Sequence, residues 1–107
     1  MNYSVLTAHK FKKQFKKLLK KFPSLKHELQ NLINQLKSDP FTGTELGNHC
    51  YKIRLGISSK GAGKSGGARV ITYVYVEETK VYLLCIYDKS ERDSISIKEI
   101  KKIIKQL

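Results

Sequence analysis

The apolar residues of this chain change their spacing once, and that change limits its fold more than any other feature. Between Ala8 and Phe22 they stand at Phe11, Phe15, Leu18, Leu19 and Phe22, one stripe of an α-helix. The same spacing returns at Leu25, Leu29, Leu32, Ile33 and Leu36. Pro23 separates the two runs, because it cannot extend a helix without losing a backbone hydrogen bond. Ser38-Asp39-Pro40 closes the second helix near Lys37, since the residue before proline disfavours helical geometry. From Cys50 the period becomes two. Tyr51, Ile53, Leu55 and Ile57 share one strand face, and Lys52, Arg54 and Gly56 the other. Two helical stripes and a strand face each need a cover, so a helical hairpin packed on a sheet is expected.

Ala68 to Val76 and Val81 to Tyr87 are β-branched and aromatic on both faces, the pattern of central strands, with Glu77-Glu78-Thr79 as the turn between them. With the strand beginning at Cys50 they form a meander. Tyr3 to Leu6 reads as a short strand able to join it, and Phe41 to His49, with Gly43 and Gly47, reads as a loop. Ser96-Ile97-Lys98-Glu99 is a capping-box pattern, opening a last helix with Ile97, Ile100, Ile104 and Leu107 along one face. The expected fold class is α+β: an N-terminal helical hairpin on a small twisted antiparallel sheet, with a short C-terminal helix, in a single domain over residues 1–107.

Charge narrows the function. Lys and Arg number 21 against 9 Asp and Glu, a formal charge of +12. Seven lysines, Lys10, Lys12, Lys13, Lys16, Lys17, Lys20 and Lys21, line the polar face of the first helix with no acid among them. Between Leu46 and Val76 stand five cations, Lys52, Arg54, Lys60, Lys64 and Arg69, and no acid. A meander brings these five toward one surface, which should bind phosphates. Neutralising about five phosphates gives a log–log salt slope of roughly −4 to −5 on duplex DNA, and less on single strands. Tyr73 and Tyr75 share a strand face with Arg69 and either stack an unpaired base or belong to the core.

Other functions are excluded by context. No apolar run approaches the roughly 20 residues of a membrane-spanning helix. The first ten residues lack a basic head followed by an apolar stretch, so a cytoplasmic protein is expected. Cys50 and Cys85 read as reduced core thiols; His49 beside Cys50 has no second ligand pair, so no metal is expected. Gly61, Gly63 and Gly66 fit a dinucleotide-binding spelling, and Gly63-Lys64-Ser65 the end of a phosphate-binding loop. Both sites need a helix immediately afterward, and here a strand follows. No small-molecule cofactor is implied.

RNA cleavage through the ribose 2′-hydroxyl needs a base for its proton, a cation for the charge building on phosphate, and an acid for the departing oxygen. Arg69 suits the second task, since arginine never deprotonates and grips two oxygens at once. Lysine crowded by cations can serve as base or acid. Lys64 and Lys89 are the candidates, because His9, His27 and His49 are scattered without an evident carboxylate partner.

Taken together, Tyr51-Lys52-Ile53-Arg54-Leu55, the loop from Lys60 to Ile71 with its Gly-Lys-Ser-Gly-Gly-x-Arg core, and the run Tyr82 to Ser90 resemble the HigB branch of the RelE/ParE toxin superfamily. The resemblance runs in order from about Tyr51 to Ser96; the helical hairpin agrees in architecture. It implies a type II toxin that cuts mRNA in the ribosomal decoding site and is silenced by a HigA- or RelB-like antitoxin. Lys52 and Arg54 match the family's basic strand pair, Arg69 its phosphate-stabilising arginine, and Lys89 the lysine at the last strand's end. Lys60 and Tyr73 join Lys52 and Arg54 as expected RNA contacts. Ser90 stands where RelE has an arginine and Ser96 where it has a catalytic tyrosine, so RelE's acid–base scheme does not transfer whole. The alternatives are a ParE-like toxin that binds DNA gyrase without cleaving RNA, and a basic nucleic-acid-binding module without activity.

Overall fold

The computed structural model describes residues 2–61 and 66–107. The elements are β1 (Ser4–Thr7), α1 (His9–Lys21), α2 (Leu25–Ser38), β2 (Thr44–Gly47), β3 (Cys50–Leu55), β4 (Ala68–Tyr75), β5 (Lys80–Asp88) and α3 (Ile97–Lys105). The strands form one sheet in the order β1-β5-β4-β3-β2. β2 through β5 pair antiparallel, but β1 runs parallel to β5, with Ser4 opposite Lys80 and Thr7 opposite Leu83. The sheet is therefore mixed rather than antiparallel. The chain must cross the sheet from β1 to β2, and the α1–α2 hairpin makes that crossing.

The segment expected as a loop before Cys50 contains β2. Asn48 and His49 both adopt positive φ, 52° and 62°, which closes a two-residue hairpin of the twist adjacent strands favour. Gly47 pairs with Cys50 across it.

The sheet has two covered faces. On one, Phe11 and Leu18 of α1 and Leu25, Leu29, Leu32 and Leu36 of α2 bury Ile53, Leu55, Val70, Val74, Val81, Leu83 and Ile86. On the other, Ile100 and Ile103 of α3 cover Cys50, Ile71, Leu84, Cys85 and Tyr87. Leu84 and Cys85 are neighbours yet face the same side, because the register passes from Ile71–Cys85 to Thr72–Leu83 and leaves Leu84 as an extra residue. This bulge reverses the alternation of β5 for the rest of the strand. Cys50 and Cys85 are buried free thiols, and burial pushes them up to about 11 and about 12.

Ser96 caps α3 as its sequence predicts, its Oγ accepting from the Glu99 N–H at 3.1 Å. The Glu99 carboxylate turns instead to Arg92, and to Lys10 at 3.7 Å. No helix among the described residues is long and apolar enough to cross a membrane.

Candidate nucleic-acid interface

The β3–β4–β5 register aligns the residues of the α3-facing side in cross-strand rungs. Arg54 lies opposite Arg69, and Arg69 opposite Tyr87; the next rung is Lys52, Ile71, Cys85, and the one after it Cys50, Tyr73, Tyr82. Two arginines thus face each other directly, with Lys52 one rung along the same side.

Exposure grades the cluster. Arg54 is exposed, Lys52 half-buried, and Arg69 only 4% exposed, with its Nη1 donating to the Ala68 carbonyl at 3.1 Å. Tyr87 lies beside Arg69, and the Arg92 guanidinium sits 5.8 Å over its ring. Its hydroxyl is buried without a hydrogen-bond partner among the described residues. Burial raises its pKa, Cys85 adds to the shift, and Arg69 and Arg92 oppose it. Residue spacing does not mark Tyr87 or Arg92 as members of this cluster. Strict alternation from Val81 would put Tyr87 on the opposite face, and only the bulge at Leu84 places it beside Arg69.

Lys89 directly follows β5. Its N–H donates to the Gly67 carbonyl at 3.0 Å, which holds it at the Arg69 end of the sheet, and its side chain is exposed. Lys64 lies outside the described residues. Lys60 departs from the single cationic surface expected of all five residues. Its Nζ donates to Asp88 Oδ1 at 2.7 Å and Ser90 Oγ at 3.0 Å, and lies 5.6 Å from the Phe22 ring centroid, toward the helical hairpin. The physical reason is Asp88, a carboxylate only 4% exposed that requires compensation. Burial would raise the Asp88 carboxyl, but bonds from Lys60 and from the Ser90 N–H and hydroxyl outweigh it and hold it below its usual range.

Polar contacts tether the chain after β3 to the hairpin. Glu28 accepts from the Ser58 N–H and hydroxyl, each at 2.9 Å, and Ser24 Oγ accepts from the Ser59 N–H at 2.9 Å. At the far end Gly67 passes so close to β3 that a Cβ there would lie 2.2 Å from the Leu55 carbonyl oxygen. The glycine is needed for close approach. Tyr73 shares the α3-facing side with Arg69 but lies two rungs away, its ring 6.2 Å from Tyr82 and 6.3 Å from Tyr75. Among the described residues no group of three His, Cys, Asp or Glu side chains is placed to hold a metal ion.

Residues 9–107 match the family described as the RelE toxin of the RelE/RelB toxin–antitoxin system. The chain belongs to the RelE toxin family. Solved RelE structures have the same fold at low sequence identity. The free E. coli RelE toxin carrying two arginine-to-alanine substitutions is 18% identical with a TM-score of 0.68, over 100% of this chain and 99% of that one. A chain of the intact E. coli RelBE toxin–antitoxin complex is 20% identical with a TM-score of 0.63, over 80% and 95%. The same RelE mutant bound to a RelB peptide is 17% identical with a TM-score of 0.64, over 100% and 99%.

Proposed function

We propose that this RelE-family chain is a ribosome-dependent mRNA endoribonuclease that blocks translation and is held silent by a cognate RelB- or HigA-like antitoxin. The observation that carries the reading is the Arg54–Arg69 rung with Lys52 beside it. A phosphodiester on that rung is gripped by charge-assisted hydrogen bonds. Arg54 and Lys52, the more exposed of the three, meet the RNA first.

In this reading the ribose 2′-oxygen attacks the adjacent phosphorus and the 5′-oxygen of the next nucleotide leaves, giving a cyclic phosphate. A base takes the 2′-hydroxyl proton and an acid supplies one to the departing oxygen; Lys89 and Lys64 are assigned to these transfers. Arg69 and Arg54 stabilise the negative charge that grows on the non-bridging oxygens, the largest contribution protein groups alone ordinarily make. The ribosome orients the mRNA, which a small site with few acid–base groups cannot do unaided. Likeness to a RelE chain in complex with RelB supports an antitoxin partner. Lys60 has a structural role here, compensating Asp88.

Primer extension on a defined mRNA in a purified translation system tests the reading. Cuts confined to ribosome-occupied codons are expected with the wild type. Intact mRNA with folded protein would overturn it, and gyrase inhibition would then be assayed.

A further inference from the structure

Two rungs from the arginine pair, the same face opens into a groove of about 340 Å³ lined by Asn48, His49, Tyr73, Lys101, Ile104 and Lys105. Three elements build it. The β2–β3 turn carries Asn48 and His49 in left-handed geometry, and the His49 carbonyl accepts from the Val74 N–H at 2.9 Å, pinning the turn beside Tyr73. β4 supplies the Tyr73 ring, braced by Tyr82 with an interplanar angle of 27°. α3 supplies Lys101 and Lys105, four residues apart and so on one helix face. Both lysines are exposed, and neither forms an ion pair among the described residues. No acid lines the groove.

We infer that this groove is a second subsite for single-stranded RNA, holding one nucleotide with its base against Tyr73 and its phosphate on Lys101 and Lys105. Aromatic rings beside cations are the common means of holding an unpaired nucleotide, and the Asn48 amide offers a donor and an acceptor to a base edge. Lys52 lies on the intermediate rung, so the α3-facing side of β3 makes a cationic path from Arg54 through Lys52 to the groove. Tyr73 is four residues from Arg69, a separation of about 13 Å along β4. RNA as the ligand rests on the proposed nuclease reading.

The test is binding of a short fluorescein-labelled single-stranded RNA to the intact protein, read by anisotropy at fixed salt. Variants are Tyr73→Leu, the exposed-site double variant Lys101→Gln/Lys105→Gln, and a charge-matched control, Lys13→Gln/Lys17→Gln on α1. Tyr73→Leu should weaken binding about 5- to 150-fold, the range for losing one base–aromatic stack, and the α3 double variant should weaken it more than the control. A 4-thiouridine in the oligonucleotide should crosslink to Tyr73 or its groove neighbours. Equal losses in the α3 and α1 double variants, or folded Tyr73→Leu with wild-type affinity, would overturn the subsite. Wild-type protein that cuts no ribosome-bound mRNA yet loses affinity through these groove variants would remove the nuclease reading and leave the subsite standing.

Discussion

Gln14 of α1 accepts a hydrogen bond from the Ile86 N–H at 3.0 Å, just where β1 has stopped accompanying β5. The parallel pairing ends at Leu83, whose carbonyl takes the Ala8 N–H at 2.9 Å as the chain leaves the sheet. Beyond that point a helix side chain replaces the missing strand. Gln14→Leu should leave a buried donor unpaired and cost about 1–3 kcal/mol, read as a lower urea midpoint with an unchanged m-value. Wild-type stability in this variant would mean that water satisfies the amide.

Thr72 carries the opposite opportunity. Its Oγ1 is buried beside the bulge without a hydrogen-bond partner among the described residues. Thr72→Val replaces an unsatisfied hydroxyl with a methyl of similar shape, so it should raise stability by about 1 kcal/mol. A loss of stability would show that the hydroxyl is bonded in solution.

Much of this architecture is legible from residue spacing. The two helices, β3, β4, β5 and the Ser96 cap follow from periodicity and local chemistry, and the core face of β3 matches Ile53 and Leu55, with Ile57 buried just beyond the strand. Three features depend on contacts that spacing does not encode. β2 is four residues with a glycine and has too little pattern to register. The direction of β1 depends on the long crossing made by the hairpin. The bulge at Leu84 inverts the faces of β5, and spacing does not register it because Leu83, Leu84 and Cys85 are all apolar and both faces are buried. That inversion hides Tyr87 from a sequence reading of the site. The Lys60–Asp88 ion pair is hidden for a related reason: the two residues are remote in sequence, and no local signal says that this carboxylate turns inward.

The Asp88 carboxyl is held below its usual value of 3.8 when folded, so its contribution is present above that value and lost as pH falls through the lowered one. Asp88→Asn should therefore be less stable than the wild type at pH 7 by about 1.5–3 kcal/mol, the scale of hydrogen bonds to a charged group. The gap should stay constant down to about pH 5 and narrow below the usual carboxylate pKa. Chemical denaturation from pH 7 to 2.5 measures it. A gap that widens in acid would reverse the sign of the linkage.

Gly67 has no room for a side chain, because its would-be Cβ meets backbone rather than a movable group: Leu55 oxygen at 2.2 Å and Gly56 Cα at 3.1 Å. Gly67→Ala should cost about 1–3 kcal/mol by forcing β3 and β4 apart, and it should lower mRNA cleavage with it, since Arg54 and Arg69 lie across that same seam. Thermal melting and primer extension on one preparation would measure both. Unchanged stability would show that the strands separate freely.

In the proposed reaction the Arg69 guanidinium stabilises charge developing on the scissile phosphate. Single-turnover cleavage of mRNA on saturated ribosomes, comparing wild type with Arg69→Lys and Arg69→Ala, tests it most directly. A loss of about 100- to 1,000-fold in the cleavage rate of Arg69→Ala is expected, with partial activity in Arg69→Lys and little change in the concentration needed for saturation. Wild-type cleavage rates in a folded Arg69→Ala variant, or a defect seen only in binding, would contradict it.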